Sequence, residues 1–202
     1  MEVKPLKNFE VYPWLLEKHY AKRIPQIMYA FGLYVERELV GVITYGIPAS
    51  PALCMGICGA KYSPIVLELN RICLLNNAKN EASFLVSHSI QQLPKPTIIV
   101  SYADTKHGHV GYVYQASNFL FTGTTKERTD MFNGEGKHSR HGKDPSIRQH
   151  RSAKHRYVYL HGNKTQKKEL LSNLLYPPQP YPKGDSKRYD SGGVVSVQEL
   201  LF

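Results

Sequence analysis

A chain of 202 residues that is 42% hydrophobic can bury the core of one domain, and none of its apolar runs reaches the roughly 18–20 residues of a membrane span. The N-terminus, Met1-Glu2-Val3-Lys4-Pro5-Leu6-Lys7, carries no apolar leader; Cys54, Cys58 and Cys73 make neither a disulfide framework nor a zinc set, and the expected setting is cytoplasmic. A net charge of +10 points to an acidic partner.

Taken in chain order, Trp14, Leu15, Leu16 and Tyr20 predict a helix over 12–23, ended near Pro25. Two strands follow over 27–35 and 39–45, joined by the charged turn Glu36-Arg37-Glu38. Residues 46–62, rich in Gly, Pro and Ala, read as a long loop excursion on the substrate side, and 65–75 as a third strand. Asn80-Glu81-Ala82-Ser83 opens a helix that runs to Leu93 and is closed by Pro94 and Pro96. A strand over 97–101, a short helix over 109–117, strands over 119–122 and 156–160, and a short helix over 164–175 complete the order. The Pro-rich run from Tyr176 to Pro182 extends over the surface. The expected division is one domain over 1–162, including a basic segment 126–162, and a basic, Pro-rich extension over 163–202. The fold class is α/β (α+β), a mixed central sheet flanked by helices. Its element order resembles that of the Gcn5-related N-acyltransferases, which hold acyl-coenzyme A in a splay between the fourth and fifth strands.

Candidate chemistry concentrates after the apolar run Ile98-Ile99-Val100, where Ser101, Asp104 and then Tyr114 follow a strand end, the place where α/β sheets open a ligand crevice. Asp104 also suits a plain helix-capping or Asx-turn role, and Tyr114 a core aromatic. Charge is concentrated too. Between 126 and 168 lie twelve Lys and Arg against four Asp and Glu, eight of the ten net positive charges. Lys137, Arg140, Lys143, Arg148, Arg151, Lys154 and Arg156 are the expected contacts to the phosphates of double-stranded DNA, against the blander reading of a solvated loop.

Five linked blocks then form a series: Leu69-Asn70-Arg71-Ile72-Cys73-Leu74, Asn80-Glu81-Ala82-Ser83-Phe84-Leu85, Ser101-Tyr102-Ala103-Asp104, His109-Val110-Gly111, and Tyr114-Gln115-Ala116-Ser117-Asn118-Phe119. In order and spacing they resemble the Mom family of phage DNA-modification proteins, over roughly residues 18–123. The resemblance implies an acyltransferase-like fold that modifies the exocyclic amine of adenine in phage DNA with a carbamoylmethyl group, blocking host restriction enzymes. It implies an acyl-coenzyme A-like donor and/or iron as cofactors. By block matching it assigns catalytic roles to Arg71, Ser101, Asp104, Tyr114, His19 and Tyr20, cofactor binding to Arg71 and Ser83, and metal binding to His19, Tyr20 and Tyr114. Arg71 can bind an anion bidentately, and Ser83 at a helix start can offer a hydroxyl beside free N–H groups.

One departure stands out. Acyltransferases of this fold carry a Gly-rich pyrophosphate loop, whereas residues 75–83 hold no glycine, so backbone N–H groups cannot approach a phosphate in the usual way. Two competing readings remain: a conventional coenzyme A-dependent N-acyltransferase acting on a small molecule or protein, and a non-catalytic DNA-binding module.

Overall fold

A computed structural model describes residues 1–19, 21–131 and 148–184. Nine strands and five α-helices are distributed along these residues: β1 (Glu2–Pro5), α1 (Asn8–Pro13), β2 (Tyr29–Val35), β3 (Glu38–Gly46), α2 (Pro51–Cys58), β4 (Val66–Leu74), α3 (Glu81–Gln91), β5 (Thr97–Asp104), α4 (Tyr112–Ala116), β6 (Leu120–Thr124), β7 (Arg128–Met131), β8 (Arg148–Arg151), β9 (Lys154–His161) and α5 (Lys164–Ser172). Seven strands form one mixed sheet in the order β1-β2-β3-β4-β5-β9-β6, and β7 and β8 pair as a separate two-stranded ribbon.

The expected class and most elements are present, with three corrections. The first helix begins at Asn8 and passes into a π-helical turn, Trp14–Lys18, rather than running to residue 23. Pro13 has no N–H to give the Phe9 carbonyl, so the α-helical ladder breaks there. Residues 46–62 are not an open loop: Ser50 accepts the Leu53 N–H as an N-cap, Pro51 starts α2, and a 3-10 turn, Ala60–Ile65, leads into β4. Strands β1, β7 and β8 carry no alternating apolar pattern and escape a periodicity reading.

Burial divides the sheet into two unlike faces. Alternate side chains of β4, β5 and β9 on one face, including Leu67, Leu69, Ile99, Ala103 and Tyr157, join Leu85, Val86 and Ile90 of α3 and Tyr114 of α4 in the largest core cluster. The opposite face carries two smaller clusters. Val11 and Leu15 pack on Ala30, Val42 and Cys73, while α2 and α5 pack through Cys54, Ile57, Cys58 and Leu170 on Val66, Ile98, Val100, Val158 and Leu160. The C-terminal segment is tied to this body: Leu175 N–H donates to Ile57, Gln179 N–H to Phe121, and Tyr181 hydroxyl to Phe119.

The centre of the sheet splays. Strands β4 and β5 pair in parallel only over Val66–Glu68 against Ile98–Val100, though β4 continues to Leu74 and β5 to Asp104. A register shift on the β3 side sets Tyr45 opposite Leu69 and Thr44 opposite Arg71, leaving Asn70 as a bulged residue. A bulge bends its strand, so the second half of β4 follows β3 away from β5. Asn70 is pinned in place, donating to the Gln26 carbonyl and accepting from the Thr44 hydroxyl.

Candidate active site at the splay

Ser101 and Asp104 sit on either side of this opening but do different things. Ser101 faces the α3 side, buried, and donates its hydroxyl to the Leu69 carbonyl at 2.9 Å, pinning β5 to β4 just beyond their last paired residues. Asp104 faces the other side. Its carboxylate accepts from Lys154 Nζ at 2.5 Å, Ser152 Oγ at 2.5 Å and the Lys106 N–H at 3.0 Å. Burial pushes its carboxyl upward, but the contacts from Lys154, Ser152 and Lys106 outweigh this and hold it below the ordinary carboxylate range. The capping role is thus realised: Asp104 is the N-cap of the 3-10 turn Thr105–His107.

Tyr114 is 2% exposed and packs among Tyr157 and Phe119 at ring-centroid distances of 5.3 and 5.4 Å. Its position on α4 is set by Gly111, the N-cap at φ +75, where an added Cβ would meet the Tyr157 ring at 2.5 Å. Tyr157 in turn donates its hydroxyl to the Val110 carbonyl, so the turn and the aromatic cluster brace one another.

On the opposite face, the gap between the two apolar clusters is filled by polar groups. His19 follows the π-helical turn, is 1% exposed, and accepts the Ala21 N–H on Nδ1 at 3.0 Å. Burial first, and then the neighbouring Arg71 guanidinium, push its imidazole down to about 3, so the ring is neutral at pH 7 with its proton on Nε2. Arg71, on β4, donates to the Asn70 carbonyl at 2.5 Å.

Glu68 is the residue that sequence reasoning missed. It shares a face with Val66, Val100, Tyr102 and Asp104, and it occupies the last paired position before β4 and β5 part. Burial raises its carboxyl above the ordinary carboxylate range, against the opposing pull of Arg71, Lys154 and Arg23. Tyr102, beside it, is pushed well up by burial and by the Glu68 charge, so its phenol keeps its proton. The only signal in sequence was a lone carboxylate inside an otherwise apolar strand, Val66-Leu67-Glu68-Leu69.

The proposed site residues are therefore sorted by the sheet. His19, Arg71, Glu68, Tyr102 and Asp104 lie on one face; Ser101 and Tyr114 lie on the other. Tyr20 is outside the described residues. Of the other tyrosines, Tyr45 is fully buried with its hydroxyl against Ser89, Tyr112 is exposed and donates to Gly184, and Tyr102 borders the site.

Among the described residues, two observations bear on the implied cofactors. At the start of α3, where coenzyme A pyrophosphate binds in acyltransferases of this fold, Glu81 turns its carboxylate back to accept the Ala78 N–H at 2.7 Å. Ser83 spends its hydroxyl on the Asn80 carbonyl at 3.2 Å. A carboxylate already takes the Ala78 N–H of a loop that holds no glycine, so these residues do not fit coenzyme A bound in that manner. For iron, no three His, Cys, Asp or Glu side chains among the described residues converge as a metal site. His19 accepts an N–H on Nδ1, a cation lies beside it, and the sheet separates it from Tyr114. The described residues do not fit iron held by His19 and Tyr114.

The basic residues also differ in what they touch. Lys137, Arg140 and Lys143 lie outside the described residues. Lys154 is committed to Asp104. Arg156 stacks on Tyr176, with its guanidinium carbon 3.4 Å from the ring centroid, and donates to the Thr122 hydroxyl and carbonyl. Arg148 is exposed on β8, and Arg151 at its end pairs with Asp130 at 3.4 Å. Among the described residues, no helix is long and apolar enough to cross a membrane.

Comparison with known proteins bears on both fold and site. The profile of the Mom protein family matches residues 1–183. The methylcarbamoylase mom of Escherichia phage Mu is 28% identical over 188 residues, covering 82% of this chain and 77% of that protein. A chimera of Vibrio cholerae spermidine N-acetyltransferase SpeG and hSSAT superposes with a TM-score of 0.52 at 13% identity, covering 84% of this chain and 99% of that one. At that identity the likeness is one of fold, and the fold is that of the Gcn5-related N-acetyltransferases.

Proposed function

The chain belongs to the Mom protein family, and on that premise we propose that it is a DNA-modifying transferase that adds a carbamoylmethyl or acyl-like group to the exocyclic N6 of adenine, protecting the DNA from restriction. The observation that carries this reading is the polar face at the splay, where Glu68, a carboxylate kept basic by burial, stands beside the protonated phenol of Tyr102 and the cation of Arg71.

In this reading the amine nitrogen attacks an electrophilic carbon of the donor. A nitrogen–carbon bond forms, the bond to the leaving group breaks, and the departing N–H proton goes to the Glu68 carboxylate. Arg71 offsets negative charge developing on the donor, and Tyr102 supplies a hydrogen-bond donor and a ring edge for an extruded base. Asp104 is a poor proton acceptor, because its acceptor positions are taken and its carboxyl is held low. It organises the rim of the site instead. Arg71 remains the residue for an anionic part of the donor; Ser83 is occupied within its own turn. Double-stranded DNA is the partner, met by the basic residues of β7 and β8.

The conventional coenzyme A-dependent reading is disfavoured by one observation, the Glu81 carboxylate in the loop that would hold pyrophosphate. Nucleoside mass spectrometry of plasmid DNA from cells expressing the chain tests the proposal. A modified deoxyadenosine is expected with wild type and lost with Glu68→Gln. Unmodified DNA beside a soluble, folded wild-type protein would overturn it.

A further inference from the structure

We propose that Asn70 is a positioning residue of the splay site: it sets the Arg71 guanidinium, and the chain at Gln26, on the face of the sheet that carries Glu68. This rests on the transferase reading above, in which Glu68 accepts the proton, and says what places cations around it.

Regular strand geometry would put Arg71 on the wrong side. Side chains alternate along a strand, so with Val66 and Glu68 on one face, residues 67, 69 and 71 belong to the other. Leu67 and Leu69 do join the core on the α3 side. Ile72 joins it as well, whereas Cys73 packs in a cluster on the opposite side. The alternation therefore changes phase between Leu69 and Ile72, at the bulged Asn70. That extra residue brings Arg71, paired with Thr44, onto the Glu68 face.

The Asn70 side chain occupies the bulge and ties three segments together. Its amide oxygen accepts from the Thr44 hydroxyl at 2.5 Å, and its amide nitrogen donates to the Gln26 carbonyl at 3.0 Å. Its own main-chain carbonyl accepts from Arg71 Nη1 at 2.5 Å. Asp has no N–H to give Gln26, and an aliphatic residue can serve neither partner. Gly46 makes room for this arrangement. It stands opposite Glu68, and a Cβ added there would collide with the Gln26 carbonyl oxygen and come within 2.9 Å of Asn70 Nδ2. The Gln26 carbonyl thus lies over the rung that holds Glu68, and Arg23 is three residues away along the same segment.

The placement acts through charge. Burial pushes the Glu68 carboxyl up, while Arg71 on β4, Lys154 on β9 and Arg23 on the approach to β2 draw it down. Tyr102 on β5 and Cys54 on α2 also sense its charge. A buried carboxyl without cations keeps its proton and cannot accept another. Asn70 holds one of the three cations directly and reaches a second through Gln26.

The test follows Glu68 itself, by carbon NMR titration of the folded full chain, with its resonance assigned by its loss in Glu68→Gln. Arg71→Met should raise the Glu68 midpoint by about one unit, the low end of what a neighbouring cation does to a carboxyl. In an Asn70→Ala background the same substitution should move it by less than about half as much, because coupled residues are not additive. Equal shifts in both backgrounds would overturn the proposal. A merely structural Asn70 would lower the melting midpoint and leave the Arg71 shift whole, as Ser89→Ala in the α3-side core should do. Thr44→Val removes the hydroxyl that orients the Asn70 amide and should shrink the Arg71 shift in the same sense. It decides the matter if Asn70→Ala does not fold, and a full shift there would overturn the role of Asn70. Plasmid modification by wild type is scored separately. Modified DNA with equal Arg71 shifts removes the Asn70 role alone. Unmodified DNA with the shift diminished in Asn70→Ala removes the adenine reading alone.

Discussion

The two faces of the central sheet use the same kinds of residue to opposite ends. On the α3 side, tyrosines and a serine are closed into the core: Tyr45 meets Ser89, Tyr114 stacks on Tyr157, and Ser101 pins the two strands of the splay. On the other side, Glu68, His19 and Tyr102 gather with Arg71 between two apolar clusters, the ionisation of the first three shifted by burial and by their charged neighbours. A polar residue beside a splay is thus not informative until its face is known. One face builds the opening and the other equips it.

The sharpest way to break this contrast is Tyr114→Ala. If the α3 face is structural, losing this buried ring costs about 3–5 kcal/mol, read from urea unfolding, while Tyr114→Phe retains plasmid modification. Loss of modification by a stable Tyr114→Phe protein would move Tyr114 into the chemistry and erase the distinction. Next comes Glu68→Gln, expected to lower modification by about a hundredfold, a barrier increase of about 2.7 kcal/mol. Because the fold raises the Glu68 carboxyl, this group favours folding below its ordinary value of 4.5 and loses that contribution as pH rises through the folded value. Glu68→Gln should therefore raise the melting midpoint at pH 7 even as activity falls, and wild-type kcat/KM should fall as pH drops through a value above 4.5. A variant that is both less stable and active would remove Glu68 from the site.

Asp104 carries the opposite sign. Its folded value is lowered, so its contribution is present above the unfolded value and is lost as pH falls through the folded one. Asp104→Asn should cost about 2 kcal/mol at pH 7, the usual scale for hydrogen bonds to a charged group, and should flatten the acid limb of the stability profile. An unchanged acid limb would show that the Lys154 pair contributes nothing. The smallest effect is expected from Arg156→Ala, about 1 kcal/mol of stability from its stacking on Tyr176, with the salt dependence of duplex binding unaltered. A flatter salt dependence would instead place Arg156 on a phosphate.

Much of the fold was legible in the chain. The strands over 27–35 and 39–45, the helix from Asn80 and the strand through Ile98 carry local signals that the structure obeys, whereas the Gly, Pro and Ala content of 46–62 masks the helix start at Ser50-Pro51. The candidate site was legible only in part. Asp104 was singled out because it ends an apolar strand and Arg71 by the family resemblance, yet their neighbours could not be read. Glu68 was missed because a single carboxylate in a strand says nothing about which face it takes until the bulge at Asn70 sets the register. The basic segment raised the expectation of a nucleic-acid partner by charge alone, but sequence could not separate Arg156, committed to Tyr176 and Thr122, from the arginines of the ribbon.

By itself the sequence determined the class of fold, the family resemblance, the basic character of the chain and the strand end where polar residues gather. These follow from local periodicity, composition and ordered blocks of residues. Only the tertiary structure decided that Asp104 clasps Ser152 and Lys154 instead of standing open, that Glu68 occupies the last rung before the splay, and that Glu81 fills the phosphate loop. The reason is physical. A carboxylate's basicity and availability depend on its desolvation and on the charges and donors around it, and those neighbours come from strands and loops far apart in the chain.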